Sequence, residues 1–555
     1  MNAMMDVIAS SNKPRTASIC NKRHQLEFPM SRTRFASAAA VGLIGALSAT
    51  QAAAQTAGAD AEIALLKQQL RLMEKKLDQL QKQTAANTTA AAQANAKAGK
   101  AEAKASVIDA NAAYAAKAPV APPTTLVKMT NNRPTICTAD DQNCISITSR
   151  LHLDVGGYDY RPNSAATSPQ RLNDGINARR ARIGVLGKFW GDWNYALIYD
   201  FGGSSDGFGG SAPGSLPGGG ASGIENAYLS YTGFKPFGGN LAIEGGYMDV
   251  AYTLDEATGS NDSMFMERAS SQVIATSIAA GDFRSAAGAR WYNDRLWLGS
   301  YATGPTSGAI HSASSITPAG TSEQLGVTAR AAGQLVSTKE YSLHLGGNAE
   351  FLVRPARNQI TGAQSLTLSD RPELRIDPTA TVAAPLTNVS GAQVYSVEAA
   401  AHYGPLYVQG EYFWFNVDRG AVAALSQPSA TFDGGYVQAS YALTGERRVY
   451  NPGNGAYSAI VPTDPFLLNG SGWGAFEIAG RVSVLDLNDQ LGVASGVAGG
   501  KQTVYTAGLN WYANRNVRFM LNYLHGTVDR QISATNPGDA GSKFDAVAMR
   551  TQVAF

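Results

Sequence analysis

Phe544-Asp-Ala-Val-Ala-Met-Arg-Thr-Gln-Val-Ala-Phe555 closes the chain. In a strand, successive side chains point to opposite faces. Val547, Met549, Thr551, Val553 and Phe555 therefore share one face, and Ala546, Ala548, Arg550, Gln552 and Ala554 share the other. The first face is apolar and finishes on an aromatic, the pattern of a terminal strand that closes a transmembrane barrel. The second is small and polar, with one arginine. This stretch predicts a barrel sealed by its own last strand.

The same texture runs backward to about Ile145. Ile147, Leu151, Leu153 and Val155 alternate with Thr148, Arg150, His152 and Asp154. Ile183, Val185 and Phe189 oppose Arg180, Arg182 and Lys188, and Leu197 and Phe201 oppose Ala196 and Asp200. Tyr341, Leu343, Leu345 and Phe351 oppose Ser342, His344, Asn348 and Glu350. Ile478, Val482 and Val484 oppose Glu477, Arg481 and Ser483, and Val517, Phe519, Leu521 and Tyr523 oppose Arg518 and Asn522. Segments of roughly ten residues with one apolar face and aromatics near their ends match lipid outside and a polar lumen inside. A soluble sandwich also alternates, but strands sustained over residues 145–555 are hard to fit to one soluble core. Hydrocarbon offers no hydrogen bonds, so the sheet must close. The expected fold is all-β: a transmembrane antiparallel β-barrel of 16 strands, at roughly 26 residues per strand. Loops are expected at 202–223, 302–321, 358–390 and 448–472, one of them folding into the lumen.

Composition agrees. Of 555 residues only 16% are charged, while Gly numbers 58 and Tyr 23. No helix-length apolar run follows residue 50, which excludes a helical membrane protein. From Ile145 on, 23 Arg and 5 Lys face 33 Asp and Glu, a net charge of −5. That argues against nucleic acid as a partner. No catalytic constellation, cofactor motif or metal-ligand spacing stands out, and the scattered His152, His344, His402 and His525 are assigned to lumen or girdle. The chain is read as a non-enzyme.

The N-terminal part reads differently. Residues 1–54 form a signal peptide with an extended or misassigned start: Met30 precedes a basic stretch, a short apolar run from Phe35 to Leu47, and Ala52-Ala53-Ala54. Residues 55–83 carry Ile63, Leu66, Leu70, Met73, Leu77 and Leu80 at alternating spacings of three and four. That stripe predicts a short periplasmic coiled-coil helix, needing associated copies for stability, or else an amphipathic helix resting on another surface. Residues 84–144 are a flexible periplasmic linker, whose lysines meet the cell wall or keep the segment soluble. The linker ends in Cys137 and Cys144, six residues intervening. In an oxidising compartment they are expected to form a small disulfide loop, the alternative being two free thiols.

Five stretches resemble the phosphate-selective porin O and P family. They are 177–187 (Asn-Ala-Arg-Arg-Ala-Arg-Ile-Gly-Val-Leu-Gly) with Trp193-Asn-Tyr, 224–231, 246–256 (Gly-Tyr-Met-Asp-Val-Ala-Tyr-Thr-Leu-Asp-Glu) with 260–268, 475–487, and 508–512 with 517–523. The resemblance implies a 16-stranded homotrimeric porin in the outer membrane of a Gram-negative bacterium, among lipid and lipopolysaccharide. It also implies a lumen whose arginine ladder and lysine cluster pass small anions such as phosphate or polyphosphate. This sequence departs from the family in two places. Ala251-Tyr252 replaces the usual Pro-Phe pair, and Lys188, Lys235, Lys339, Lys501 and Lys543 are all the lysines after residue 145. A dense lysine cluster is therefore not expected.

Anion selection needs fixed positive charge facing a narrow aqueous path, and the guanidinium fork suits oxyanions. By alternation Arg150, Arg180, Arg182, Arg481, Arg518 and Arg550 face the lumen, as do Asp154, Asp200, Glu350 and Glu477. Either the arginines form an anion track, or these charges pair across the wall and stiffen it. Glu267 and Arg268 are expected to anchor a loop. The leading expectation is passive diffusion of small anions. The alternatives are a general or differently selective diffusion porin, suggested by the net acidity, and an envelope-tethering protein working through its N-terminal helix.

Overall fold

The computed structural model describes residues 125–163, 172–202, 223–281, 283–306, 321–420, 428–467, 470–531, 533–535 and 540–555, with positions 75–76, 78–79, 82–83 and 88. The stretch expected to be a signal peptide, the apolar stripe 63–80 and most of the expected linker lie outside them. The seven upstream positions are helical and exposed, and Lys82 Nζ meets Asp78 at 2.9 Å, one turn away.

The chain first makes a hairpin, β1 (Thr125–Thr130) and β2 (Arg133–Thr138), turning on Asn131 and Asn132, both in the left-handed region. Sixteen barrel strands follow. They are β3 (Cys144–Arg161), β4 (Gly175–Phe189), β5 (Trp193–Asp200), β6 (Gly223–Phe234), β7 (Asn240–Met248), β8 (Arg284–Tyr292), β9 (Leu296–Thr306) and β10 (Leu325–Ser337). The rest are β11 (Tyr341–Arg354), β12 (Val389–Tyr403), β13 (Leu406–Arg419), β14 (Ala430–Ala442), β15 (Ala475–Asp489), β16 (Val497–Tyr512), β17 (Val517–Asp529) and β18 (Ala540–Ala554). Each pairs antiparallel with the next. β18 returns to β3, from Lys543↔Arg161 to Ala554↔Arg150, and Phe555 exchanges backbone hydrogen bonds with Ser149 at 3.0 and 3.1 Å. The terminal strand thus seals the barrel, removing the free edges that hydrocarbon could not satisfy.

Connections at the end bearing Phe555 are short, two to five residues long, as at 190–192, 235–239, 404–405 and 513–516. Those at the opposite end are long. Short turns mark the periplasmic side of such barrels. One connection breaks the rule: 443–474, between β14 and β15, lies on the short-turn side.

The outer face is mainly apolar, with Leu151, Leu153, Ile183, Leu197, Val482, Leu521, Val547 and Met549 exposed. The inner face is not uniformly polar. Phe413, Phe415, Val417, Phe432, Val394 and Leu352 point inward and are buried. Two long connections cover them. The β7–β8 segment carries α1 (Leu254–Ala257) and α2 (Ser270–Ala279); the β11–β12 segment carries a small hairpin, Ser365–Asp370 against Val382–Thr387. Ile274, Ala275, Ile278 and Ala279 of α2 pack with Leu368, Val382 and Leu386 against that wall. A fully buried aromatic or branched side chain contributes about 1.5–3 kcal/mol, so this stretch of the inner wall is a folding core. The sequence pattern anticipated an infolding connection, but not that the segment at 249–283 would be one.

Candidate functional site

The β7–β8 segment is pinned to the wall by carboxylates and amides that meet its backbone. Glu411 accepts the N–H of Leu254 at 2.8 Å and of Asp255 at 3.1 Å, Thr253 caps the N–H of Glu256 at 3.1 Å, and Glu373 accepts the N–H of Ser270 at 2.9 Å. Acidic groups at helix N-termini satisfy the donors left unpaired there. Asn522 accepts the N–H of Met266 at 3.0 Å, and Glu350 that of Ala279.

Glu267 is the main side-chain anchor. Arg179 donates to it from Nε at 2.8 Å and Nη2 at 3.1 Å, and Arg550 from Nη2 at 2.7 Å, while Arg550 also grips both oxygens of Asp154 at 2.6 and 2.7 Å. Burial opposes the charge on Glu267, but Arg179, Arg550 and Arg180 outweigh it and hold the carboxyl well below its usual range. Arg268 lies 3.3 Å from Glu256 and 3.5 Å from Asp255. Burial prevails at Asp255, whose carboxyl is raised; at Glu256 burial is overcome by Arg268 and the carboxyl is lowered. Glu267 and Arg268 thus each fasten the loop, through different partners.

The long periplasmic connection enters from the other mouth. Arg448 donates to Glu477 at 2.9 Å and to the carbonyl of Asp262 at 2.7 Å, and the N–H of Ala459 reaches Asp262 Oδ1 at 3.0 Å. Arg330, paired with Glu398 at 2.8 Å, also donates to the carbonyls of Asn454 and Gly455 at 2.9 and 2.7 Å. The two segments thus meet inside the barrel at Asp262.

Of the six arginines assigned to the lumen, three lie beneath these loops. Arg550 is described above. Arg481 pairs with Glu373 at 2.6 Å and lies over the Phe265 ring at 4.7 Å. Arg518 lies over Tyr512 at 4.5 Å and donates to the carbonyl of Asn261 at 3.3 Å. The other three line a cavity of about 130 Å³. Arg182 is matched there by Asp200, at 2.7 Å, and by Glu225. Arg150 donates to Ser260 Oγ at 2.8 Å. Arg180 reaches His152 Nδ1 at 3.5 Å, and its buried Nε has no partner. His152 Nε2 faces Asn261 Oδ1 at 3.0 Å, so Nε2 carries the hydrogen and Nδ1 presents a lone pair to Arg180. Among the described residues neither Arg150 nor Arg180 is ion-paired. Arg179, Asp249, Glu256 and Arg268 complete the charged lining.

Arg179 escaped the period-two reading because of a β-bulge. His152 pairs with Arg180 and Leu153 with Ala178, leaving Arg179 as the extra residue, so that two consecutive arginines, 2% and 6% exposed, both point inward. No local sequence signal announces the bulge. Glu373 and Arg448 were equally hidden, because they belong to connections whose course is set by tertiary packing.

Cys137 and Cys144 are joined by a disulfide across paired positions of β2 and β3. With Asp141 they form the one grouping of metal-ligand atoms among the described residues, but the bonded sulfurs offer no thiolate.

A family model described as phosphate-selective porin O and P matches residues 145–555. Porin O of Pseudomonas aeruginosa is 24% identical over 439 residues, 74% of this chain and 88% of that protein. An uncharacterized protein of Caulobacter vibrioides is 34% identical over 169 residues, 30% of this chain and 32% of its own length, so the match spans about a third of that relative. The solved trimer form of the outer membrane protein OmpT of Vibrio cholerae superimposes with a TM-score of 0.40 at 11% identity, covering 75% of this chain and all of that one.

Proposed function

Because this chain belongs to the phosphate-selective porin O and P family and is an outer-membrane porin of a Gram-negative bacterium, we propose that it passes small oxyanions, phosphate among them, along the arginine side of its lumen. One observation carries the reading: Arg150 and Arg180 line the cavity without a carboxylate partner, while the other lumen arginines described above have acids or loop carbonyls to hold. A guanidinium already matched by a carboxylate has little to offer a passing ion. An unmatched one in a narrow, partly desolvated space attracts an anion strongly. Arg182, Asp200 and Glu225 hold the neighbouring wall rigid. The acids Asp249 and Glu256 keep the cavity close to neutral, so that an anion is held weakly enough to leave.

The presence of only five lysines and the net charge of −5 from Ile145 on favour a second reading, a general diffusion pore with little ion preference. Chloride current through single channels, measured while phosphate is added, separates the two. A phosphate-binding constriction predicts a falling chloride current in the wild type and a flat response in the R150Q/R180Q variant. A general pore predicts a flat response in both. The family resemblance and the heptad stripe at 63–80 support a homotrimer united below the membrane by a short coiled coil.

A further inference from the structure

The β1–β2 hairpin takes no part in that pathway, and its surroundings leave it incomplete. β2 continues the pairing of β3 where β18 stops, through Thr135↔Ser146, Ile136↔Ile145 and Cys137↔Cys144, and the disulfide staples it there. β1 pairs with β2 alone, so its outer edge is unpaired, and it is exposed on both faces. Val127 is 81% exposed and Met129 65%. Together with Ile136, Ile145 and Ile147 they make an exposed aliphatic surface.

The height of this surface is fixed by register. Ile136 pairs with Ile145, Ile145 with Gly187, and Gly187 with Tyr195. Tyr195 stands in a cluster with Phe189, Trp193 and Tyr231, the aromatic girdle that marks contact with lipid headgroups. From Phe555 round to Phe189 the wall at that height is aliphatic. An open groove of about 660 Å³ runs beside the hairpin, lined by Ile136, Ile145, Phe189, Tyr195 and Leu229. Acyl chains cannot satisfy the free N–H and C=O groups of the β1 edge. Water does not favour two aliphatic side chains exposed so fully. A protein surface at the same height meets both demands.

We propose that this hairpin is a contact surface for a second copy of the chain, which seats against the β1 edge and its aliphatic face. The choice of a second copy rests on the sequence upstream. The stripe Ile63–Leu80 is too short to be a stable helix alone, and its heptad spacing is satisfied by the same stripe in other copies, which draws the chains leading into β1 together.

The test places the photo-crosslinker p-benzoylphenylalanine at Val127 of the full chain in native outer membranes. Adducts between two copies of this chain are expected; adducts to lipid alone, or to an unrelated protein alone, would overturn the proposal. A second arm introduces V127D/M129D and follows oligomers in mild detergent. Heat-modifiable migration on gels confirms that the barrel itself is folded, since neither side chain is in its core. Dissociation of the oligomer at least 10 °C below the wild type is expected. An oligomer as stable as the wild type, or a wild type that is monomeric, contradicts the inference.

Discussion

The two halves of the inner wall do opposite work with the same strand geometry. On β11–β14 the inward positions are Phe413, Phe415, Val417 and Phe432, with Glu350, Glu398 and Glu411 among them, and two loops lie on top. On β3–β6 the inward positions are Arg150, Arg179, Arg180, Arg182 and Glu225, and between them and the β7–β8 segment lies a cavity of about 130 Å³. The first half shows that a lumen can hold a dry core when connections fold back onto it. The second shows that inward charge can be left without a carboxylate partner beside a small cavity. The contrast recurs among the arginines: Arg550 sits between two carboxylates, while Arg180 has a histidine lone pair and an unpartnered Nε.

The hardest way to break this contrast is to remove Arg550. Asp154 and Glu267 would be left as buried, unmatched carboxylates, and losing one member of a buried ionic set costs about 3–5 kcal/mol. R550M is expected to abolish a stable folded barrel, which denaturant unfolding in detergent would reveal; near-wild-type stability would show that the anchor is dispensable. Next comes F413A on the covered half. A Phe-to-Ala cavity costs about 3–5 kcal/mol in a well-packed core. Since α2 packs there, single-channel current noise is expected to rise as the loop loosens. R180Q, which removes a buried charge near Glu267 but no ion pair, is expected to cost less stability than R550M and to reduce anion over cation permeability several-fold.

The smallest effect concerns pH. Glu267 has a folded-state pKa below its unfolded value, so its contribution to stability is fully present above the ordinary carboxylate pKa and fades as pH falls through the lower folded value. Unfolding midpoints measured from pH 8 to pH 5 are expected to be insensitive to E267Q, apart from a constant offset. A difference that varies across that range would place the titration of Glu267 elsewhere.

Much of this was legible in the sequence, for reasons that can be named. Strands facing lipid must alternate, so the Val547–Phe555 face and its counterparts pointed to the closed 16-stranded barrel. Alternation says which way a side chain points and nothing about what covers it. Arg481 and Arg518 are buried under a loop whose path depends on Phe413, Glu411 and Glu373, all distant in sequence. Arg179 was invisible because a bulge breaks the period by one residue. The inward aromatics at 413 and 415 alternate with the outward Tyr412 and Trp414, so β13 reads as apolar on both faces. That is the signature of a wall buried on both sides, and it was the one available hint of the dry half.

The central claim is that anions travel past the unpaired arginines of β3 and β4. The most direct measurement is the reversal potential of the purified channel in a salt gradient, taken for the wild type and for R150Q/R180Q. An anion-preferring sign that weakens or inverts in the variant is expected. A cation-preferring wild type, or a variant with an unchanged reversal potential, would contradict it.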